Sequence, residues 1–282
     1  MIVSDVMTPR DDLVTVSIPG TRDDALEYLQ ERSFSSVPVV KETAEGERYR
    51  GLVSREDLIN NPDEDQLAIL MDEVPTTAPD ASITDLAHLI AETGARRVPV
   101  VSEESLRGIV TITDVIRAIA DGAVDGDTPV DELARRDINT TYERAPLQVV
   151  ERELAFARVP YAVALDDDGE MAGVVTEVDI IAVAEVVEGE EGTGDSIANQ
   201  DDEWMWEGIK AVGNRYLPTR NVEIPDEPVS EYMTADVVTV TGQRTAKDAS
   251  QMMLNNDIEQ IPLVNGDELT GIVRDIDLVS GL

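Results

Sequence analysis

Four aspartates recur in one setting, each placed six residues after a glycine. A short apolar run follows each glycine, and in three copies a serine or threonine stands three residues before the aspartate. The pairs are Gly51 and Asp57, Gly108 and Asp114, Gly173 and Asp179, and Gly271 and Asp277. The apolar run predicts a strand, and the polar residues predict the first turn of a helix.

Ser54, Thr111 and Thr176 are the hydroxyl residues of this motif, and Arg274 replaces them in the fourth copy. A hydroxyl and a carboxylate at this spacing form a good helix cap without any ligand. The same carboxylate can also accept charge-assisted hydrogen bonds from a bound molecule. The two roles are compatible, so the sequence leaves both open.

The aspartates follow one another at intervals of 57, 65 and 98 residues, which indicates an internal repeat. Apolar alternation such as Leu13–Val16, helix starts such as Thr21-x-x-Asp24 and runs such as Val37–Val40 predict the order β-α-β-β-α in each copy. The fold class is therefore α/β (α+β). The predicted repeats span about residues 5–60, 69–121, 128–185 and 229–282, with an insert at about 188–227 that contains Trp204 and Trp206.

Composition excludes several kinds of site. The chain has no cysteine and one histidine, His88, so thiolate centres and multi-histidine metal sites are excluded. The N-terminus lacks the features of a signal peptide, and no apolar stretch is long enough to cross a bilayer, so a soluble cytoplasmic protein is expected. No pair of nucleophile and base stands out, which argues against an enzyme.

The chain is strongly acidic, with 59 Asp and Glu against 22 Lys and Arg and a formal net charge of −37. Its hydrophobic content of 42% argues against disorder. We therefore expect a folded protein adapted to high salt, where the Debye length at about 1 M is only about 3 Å. The same charge argues against nucleic acid and anionic membranes as partners.

The repeats resemble the CBS domain, named for cystathionine β-synthase. The resemblance rests on Val6-Met-Thr8 or Tyr232-Met-Thr234 before a first strand, Val-Pro-Val-Val in the second strand at 37–40 and 98–101, and the closing glycine-to-aspartate motif. The layout is similar to archaeal stand-alone CBS proteins and to the γ subunit of AMP-activated protein kinase. It implies two pseudo-twofold CBS pairs (Bateman modules), residues 1–124 and 125–282, as a monomeric disc or a homodimer.

The resemblance implies adenine-nucleotide sites in clefts between repeats. The motif aspartates Asp57, Asp114, Asp179 and Asp277 would hold ribose, and first-strand residues such as Thr15 and Thr239 would border the base. Ser54, Thr111 and Thr176 would belong to the same sites. Trp204 and Trp206 are expected to pack the insert onto a module.

The basic side chains that could bind phosphate differ between the four repeats, and this difference distinguishes their expected sites. Arg96 and Arg97 precede the second strand of repeat two, where the family carries basic residues that face phosphate. The corresponding pairs are Ser35–Ser36 and Glu259–Gln260 in repeats one and four, while Arg158 in repeat three is a weaker candidate. We therefore expect the first module, residues 1–124, to bind adenine nucleotide best, through Asp114 with Arg96 or Arg97.

The expected function is a non-catalytic regulator that binds AMP, ADP or ATP and signals to an unidentified protein partner. No cofactor or metal is expected. A ligand-free CBS scaffold that mediates protein association and a sensor of S-adenosylmethionine remain the alternatives.

Overall fold

A computed structural model describes residues 1–31, 36–44, 46–54, 57–58, 61, 64–188 and 220–282 of the chain. Trp204 and Trp206, together with Arg55 and Ser35, lie outside these residues. Within the described residues, no helix combines the length and the apolar character needed to cross a membrane.

Repeat one begins after a 3-10 helix at Val3–Asp5, a short strand β1 (Thr8–Pro9) and a second 3-10 helix at Arg10–Asp12. Its own elements are β2 (Val16–Ser17), α1 (Arg22–Glu31), β3 (Ser36–Thr43) and β4 (Gly46–Ser54), and residues 57–58 are helical. The predicted first strand, Leu13–Val16, is therefore shorter and begins later than expected. Strand β2 pairs in parallel with β3, and β3 pairs antiparallel with β4.

Repeat two contains α2 (Leu67–Leu70), α3 (Ile83–Thr93), β5 (Arg97–Ser102), β6 (Ser105–Thr111) and α4 (Ile112–Ala120). Its first strand is reduced to a single parallel bridge between Thr77 and Val100. Gly94 ends α3 in the left-handed conformation with φ 71°, which glycine adopts without strain.

Repeat three begins with α5 (Val130–Leu133), followed by β7 (Thr140–Tyr142), α6 (Leu147–Ala157), β8 (Tyr161–Leu165), β9 (Met171–Thr176) and α7 (Glu177–Val183). A two-stranded antiparallel pair, β10 (Glu185–Glu188) and β11 (Arg220–Glu223), flanks the insert. Helix α6 starts after Pro146 without a side-chain cap, as its sequence indicates.

Repeat four follows a 3-10 helix at Val229–Glu231 and comprises β12 (Val240–Thr241), α8 (Ala246–Asn256), β13 (Gln260–Asn265), β14 (Glu268–Arg274) and α9 (Asp275–Val279). Each repeat thus has a small three-stranded unit in which the first strand is parallel to the second and the second is antiparallel to the third. The predicted mixed α/β fold with four repeats is confirmed.

The motif glycines allow a segment of another repeat to approach the third strand. Strand β1 pairs with β6 through Thr8↔Ile109 and Pro9↔Gly108. A side chain at Gly108 would place its Cβ 2.4 Å from the Thr8 carbonyl oxygen, which is a collision. Equivalent backbone contacts, at 2.7 to 2.8 Å from a built Cβ, occur between Gly51 and Asp72, Gly173 and Thr234, and Gly271 and Arg135.

These contacts are reciprocal. The segment leading into repeat one pairs with repeat two, and Asp72, leading into repeat two, pairs with Leu52 of repeat one. Arg135, leading into repeat three, pairs with Ile272, and Thr234, leading into repeat four, pairs with Val174. The assignment of residues 1–124 and 125–282 to separate modules stays a prediction.

By contact density the chain divides into two compact units. The larger unit contains Met1–Arg136, Val238–Asn265 and Thr270–Leu282, and the smaller contains Asp137–Val237 and Gly266–Leu269. In the larger unit, helices of repeats two and four share one apolar core. The members include Ile83, Leu86, Ile90, Ile112, Val115, Ile116, Ile119, Ala249, Met253, Leu278 and Val279.

A second core in the larger unit is formed by Val16, Leu29 and Val39 of repeat one together with Leu67 of α2. The smaller unit has its own core around Leu147, Val150, Leu154 and Ile180. The helices are amphipathic: Ile112, Val115, Ile116 and Ile119 lie on one face of α4 and are all buried. This burial holds the N-terminus of α4, and with it Asp114, in a fixed place.

Candidate functional site

Three of the four motif aspartates form capping boxes. Oδ2 of Asp114 accepts hydrogen bonds from the backbone N–H and the hydroxyl of Thr111, at 2.9 and 2.8 Å. In return the hydroxyl of Thr111 accepts the backbone N–H of Asp114 at 3.3 Å. Ser54 with Asp57, and Thr176 with Asp179, have the same geometry. The helix-cap interpretation of these residues is therefore correct.

Capping uses one carboxylate oxygen and leaves the other available. Oδ1 of Asp114 accepts a hydrogen bond from Arg117 Nη1 at 3.0 Å, and the Arg117 side chain is 56% exposed. Such an exposed ion pair is weak, so a ligand hydroxyl can replace it. Oδ1 of Asp179 accepts no hydrogen bond from the residues that the structure describes.

Asp277 differs from the other three aspartates because two arginines bind its carboxylate. Arg274 donates from its backbone N–H, Nε and Nη2 at 3.0, 2.9 and 2.8 Å, and Arg135 Nε lies 3.2 Å from Oδ1. The Asp277 carboxylate is only 9% exposed. Arg274 thus replaces the missing hydroxyl as a donor to the carboxylate but accepts no hydrogen bond in return, and both carboxylate oxygens are occupied.

Arg96 and Arg97 have different surroundings although they are adjacent. Arg96 Nη2 lies 2.5 Å from Asp275 Oδ2 and 2.8 Å from Glu259 Oε1. Burial lowers the pKa of the Arg96 guanidinium, but hydrogen bonds and attraction from Asp275 and Glu259 outweigh it and raise the pKa above its ordinary value. Arg96 therefore joins repeat two to repeat four.

Arg97 makes no side-chain hydrogen bond or ion pair with the residues that the structure describes. Burial, together with the positive charge of Arg96, lowers the pKa of its guanidinium, while Glu259 opposes this more weakly. Arg97 lies directly across the strand pair from Thr111, the N-cap of α4. A half-buried cation that has no hydrogen-bonded counter-ion among the described residues thus stands across the strand pair from the N-cap residue of the Asp114 capping box.

A cavity of about 290 Å³ lies along the same helix. It is lined by Asp114, Arg117, Ala118 and Asp121 of α4 and its C-cap, by Ala123, and by the N-terminal residues Met1, Asp5 and Val6. This volume is at the lower end of the range for small-molecule sites. The Asp114 carboxylate is therefore both a helix cap and a wall of a cavity.

The first-strand threonines lie just before the strands that the structure contains. Thr15 immediately precedes β2, and its hydroxyl accepts a hydrogen bond from Arg10 Nη2 at 3.0 Å. Thr239 immediately precedes β12 and is half-buried. Arg158 occupies the left-handed C-cap of α6, with φ 52°. The roles of all these residues in ligand binding stay predictions.

Two contacts were not predicted from the sequence. Arg10 donates two hydrogen bonds to the Glu47 carboxylate, from Nε at 2.7 Å and from Nη2 at 2.6 Å. Arg135 and Arg136 form a second adjacent arginine pair, the same signal that drew attention to Arg96 and Arg97. Their position in repeat three, before its strand β7, gave no indication that Arg135 would reach Asp277, 142 residues later.

Comparison with known proteins agrees with the repeats. The model of the CBS domain matches residues 3–64, 67–121, 123–185 and 229–282. The chain is 25% identical over 278 residues to protein MJ1404 of Methanocaldococcus jannaschii, which covers 98% of this chain and 61% of that protein. The chain thus spans about three fifths of that relative's length.

Two solved structures share the fold. A conserved protein from Pyrococcus horikoshii gives a TM-score of 0.71 at 24% identity, covering 100% of this chain and 99% of that one. Protein MJ1225 of Methanocaldococcus jannaschii gives 0.65 at 19% identity, with the same coverage. The chain belongs to the CBS-domain family and carries four copies of the domain.

Proposed function

We propose that this chain is a regulatory protein that binds an adenine nucleotide, AMP, ADP or ATP, beside helix α4 of repeat two and passes the change to a protein partner. Catalysis has no part in this proposal. The observation that carries it is Arg97, a half-buried guanidinium that has no hydrogen-bonded counter-ion in the described part of the chain and lies next to the Asp114 capping box.

The electrostatics of Arg97 favour an anion. Its guanidinium stays charged at neutral pH despite the lowered pKa, because the ordinary value lies above about 12. Burial without a close partner is costly for a charge, and an incoming phosphate would relieve that cost through bidentate hydrogen bonds. In a chain with a net charge of −37, a cation that has no hydrogen-bonded carboxylate among the described residues favours a specific anionic ligand.

The Asp114 carboxylate can accept hydrogen bonds from the ribose hydroxyls of the same ligand. Its Oδ1 contacts only the exposed Arg117 among the described residues, and the carboxylate lines the cavity. Two vicinal hydroxyls are good donors to a carboxylate because the hydrogen bonds are charge-assisted. A nucleotide would thus use Asp114 for ribose and Arg97 for phosphate.

The other repeats are weaker candidates. Ser36 occupies in repeat one the place of Arg97, because Ser36 pairs with Ser54 as Arg97 pairs with Thr111. It offers no charge, although its buried hydroxyl has no partner among the described residues. In repeat four, Asp277 is already neutralised by Arg274 and Arg135.

One observation favours the S-adenosylmethionine alternative. The side chains of the cavity wall include three carboxylates, those of Asp5, Asp114 and Asp121, against one cationic side chain, that of Arg117. Such a lining suits a ligand with a positive charge and no phosphate. A ligand-free scaffold is also compatible with the capping boxes, because these hydrogen bonds stabilise the helix by themselves.

Thermal unfolding in molar salt separates these functions. Adenosine, AMP, ADP, ATP and S-adenosylmethionine are each added in excess, since a ligand that binds only the native state raises Tm. We expect the phosphorylated ligands to raise Tm more than adenosine. Arg97→Ala should remove that difference, whereas Arg107→Ala, a matched loss of charge at an exposed strand residue, should not.

Other outcomes select the alternatives. A shift with S-adenosylmethionine alone that persists in Arg97→Ala would identify the cavity with three carboxylates as the site. No shift with any of the five compounds would leave the association scaffold as the function.

A further inference from the structure

The residues that pair with the strand position after each motif glycine differ between the repeats. The four pairs are Thr8 with Ile109, Asp72 with Leu52, Arg135 with Ile272 and Thr234 with Val174. Thr8 and Arg135 are therefore equivalent residues. Each lies beside the third strand that leads to a motif aspartate, Asp114 for Thr8 and Asp277 for Arg135.

Arg135 reaches the carboxylate oxygen that corresponds to the weakly held oxygen of Asp114. Nε of Arg135 donates to Oδ1 of Asp277 at 3.2 Å. The shorter side chain of Thr8 leaves Oδ1 of Asp114 to Arg117, whose side chain is 56% exposed. Molar salt screens such an exposed pair more than it screens a buried one. The equivalent residues thus leave one aspartate accessible and hold the other.

Arg274 completes the contact on Asp277. Its Nε donates to Oδ2 at 2.9 Å and its Nη2 donates to Oδ1 at 2.8 Å, so the guanidinium binds both oxygens at once. The side chains of Arg274 and Asp277 are 22% and 9% exposed. The hydroxyls of a ribose would have to displace two guanidinium groups from a buried carboxylate, which is far costlier than displacing one exposed ion pair.

The backbone fixes the starting point of the Arg135 side chain. The Arg135 N–H donates to the Ile272 carbonyl at 2.8 Å, and the Ile272 N–H donates to the Arg135 carbonyl at 2.9 Å. Gly271 permits this approach, because a Cβ there would lie 2.7 Å from the Arg135 carbonyl oxygen. Arg135, Arg274 and Asp277 all belong to the larger compact unit. The guanidinium of Arg135 is therefore presented to Asp277 from a segment that is already in place.

We infer that Arg135 and Arg274 are an internal ligand of Asp277, in that they supply the hydrogen bonds that a bound ribose would supply and so exclude a ribose from repeat four. Arg135 is then a specificity-determining residue, because its equivalent in the Asp114 contact, Thr8, leaves the aspartate accessible. The comparison with Asp114 rests on the proposed function, since it assumes that ribose binds there. The contact on Asp277 itself does not.

Thr8→Arg should transfer the internal ligand to Asp114. Thr8 is exposed, so a longer side chain has room to reach Oδ1 of Asp114. Adenosine is the probe, because it has no phosphate that the added charge could attract. In calorimetric titration of the full chain in molar salt, we expect Thr8→Arg to bind adenosine at least about tenfold more weakly than the unaltered chain. Thr8→Gln, which adds length without charge, should bind it as well as the unaltered chain does. Equal affinity of Thr8→Arg and the unaltered chain, or an equal loss in both variants, overturns the inference.

A double-mutant cycle tests the contact on Asp277 without a ligand. Arg135→Thr should lower Tm by about 2–4 °C in the unaltered chain and have little effect when Asp277→Asn is already present. Arg136→Thr is the matched control, since Arg136 is 48% exposed against 51% for Arg135 but pairs with Asp131. Its effect should be the same in both backgrounds.

The two measurements separate this inference from the proposed function. If the unaltered chain binds no adenosine, the proposed function fails and the cycle alone decides the inference. An equal loss of Tm from Arg135→Thr with and without Asp277→Asn would show that Arg135 does not act through Asp277, and it overturns the inference whatever the chain binds.

Discussion

Arg96 and Asp275 form an ion pair across two repeats, with Nη2 and Oδ2 2.5 Å apart. Their positions are related by the repeat. The Arg96 carbonyl accepts the backbone N–H of Ile112 at the start of α4, and the Glu259 carbonyl accepts that of Asp275 at the start of α9. Arg96 and Glu259 are therefore equivalent residues, and the ion pair joins the helix starts that carry Asp114 and Asp277.

Loss of Arg96 should destabilise the fold. Asp275 is 6% exposed, so Arg96→Ala leaves a buried carboxylate without its guanidinium. We expect the free energy of unfolding to fall by about 1–3 kcal/mol, measured by urea unfolding in molar salt. Arg144→Ala is the control, because Arg144 and Asp167 are both about 60% exposed, and it should cost less than about 1 kcal/mol. Equal losses would contradict a structural role for Arg96.

The different surroundings of the Arg96 and Arg97 side chains could not be predicted from the sequence. Arg97 is the first residue of β5 and Arg96 lies just outside the strand, so strand alternation does not determine the surroundings of both side chains. Which of them meets an anion depends on Glu259 and Asp275, which lie more than 160 residues along the chain. The sequence identified the pair, and only the packing of repeat four against repeat two separates its members.

The local Ser/Thr-x-x-Asp motif predicted the structure better than the arginine pair did. The serine or threonine three residues before the aspartate predicts a capping box, and three such boxes are present. The glycine of the same motif was recognised but not explained. Glycine is needed because the segments at Thr8, Asp72, Arg135 and Thr234 lie so close to the third strands that a side chain would collide with them. No local sequence pattern indicates this contact.

Acid should weaken the Arg10–Glu47 contact. Hydrogen bonding to Arg10 lowers the pKa of Glu47, although burial opposes this. A carboxylate with a depressed folded pKa stabilises the fold above its unfolded value of about 4.3 and loses this contribution as the pH falls through the folded pKa. The stability difference between the unaltered chain and Glu47→Gln should therefore be largest at neutral pH.

Urea unfolding of both proteins between about pH 7 and pH 3 measures that difference. It should shrink only below about pH 4.5, because the contribution of Glu47 is complete above that value. A difference that did not depend on pH would show that the carboxylate of Glu47 acts through packing and not through its charge.

Tyr49 carries a buried hydroxyl that has no hydrogen-bond partner among the described residues. Burial raises the pKa of this phenol above its ordinary value, so it stays neutral through mildly alkaline pH. Tyr49→Phe removes an unpaired polar atom and should leave the free energy of unfolding unchanged or raise it by up to about 1 kcal/mol. A loss above about 1 kcal/mol would reveal a partner for the hydroxyl.

Dilute buffer should destabilise the whole chain. A net charge of −37 produces self-repulsion that about 1 M salt screens within about 3 Å. Thermal unfolding followed by circular dichroism should give a lower Tm at about 0.05 M than at about 2 M potassium chloride. Equal Tm values would count against adaptation to high salt.

Asp114 should combine a structural and a binding role, and Asp179 provides the comparison because it forms the same capping box. Asp114→Ala and Asp179→Ala each remove a capping carboxylate and should each lower the free energy of unfolding by about 1 kcal/mol. Only Asp114→Ala also removes a wall of the cavity along α4. Loss of a charged hydrogen-bond acceptor costs about 1.5–3 kcal/mol, so nucleotide affinity should fall roughly ten- to a hundredfold in this variant.

Calorimetric titration of the full chain in molar salt, at a temperature where both variants are folded, measures the two affinities. Equal affinity of the unaltered chain and Asp114→Ala would mean that Asp114 only caps its helix and that nucleotide binds elsewhere.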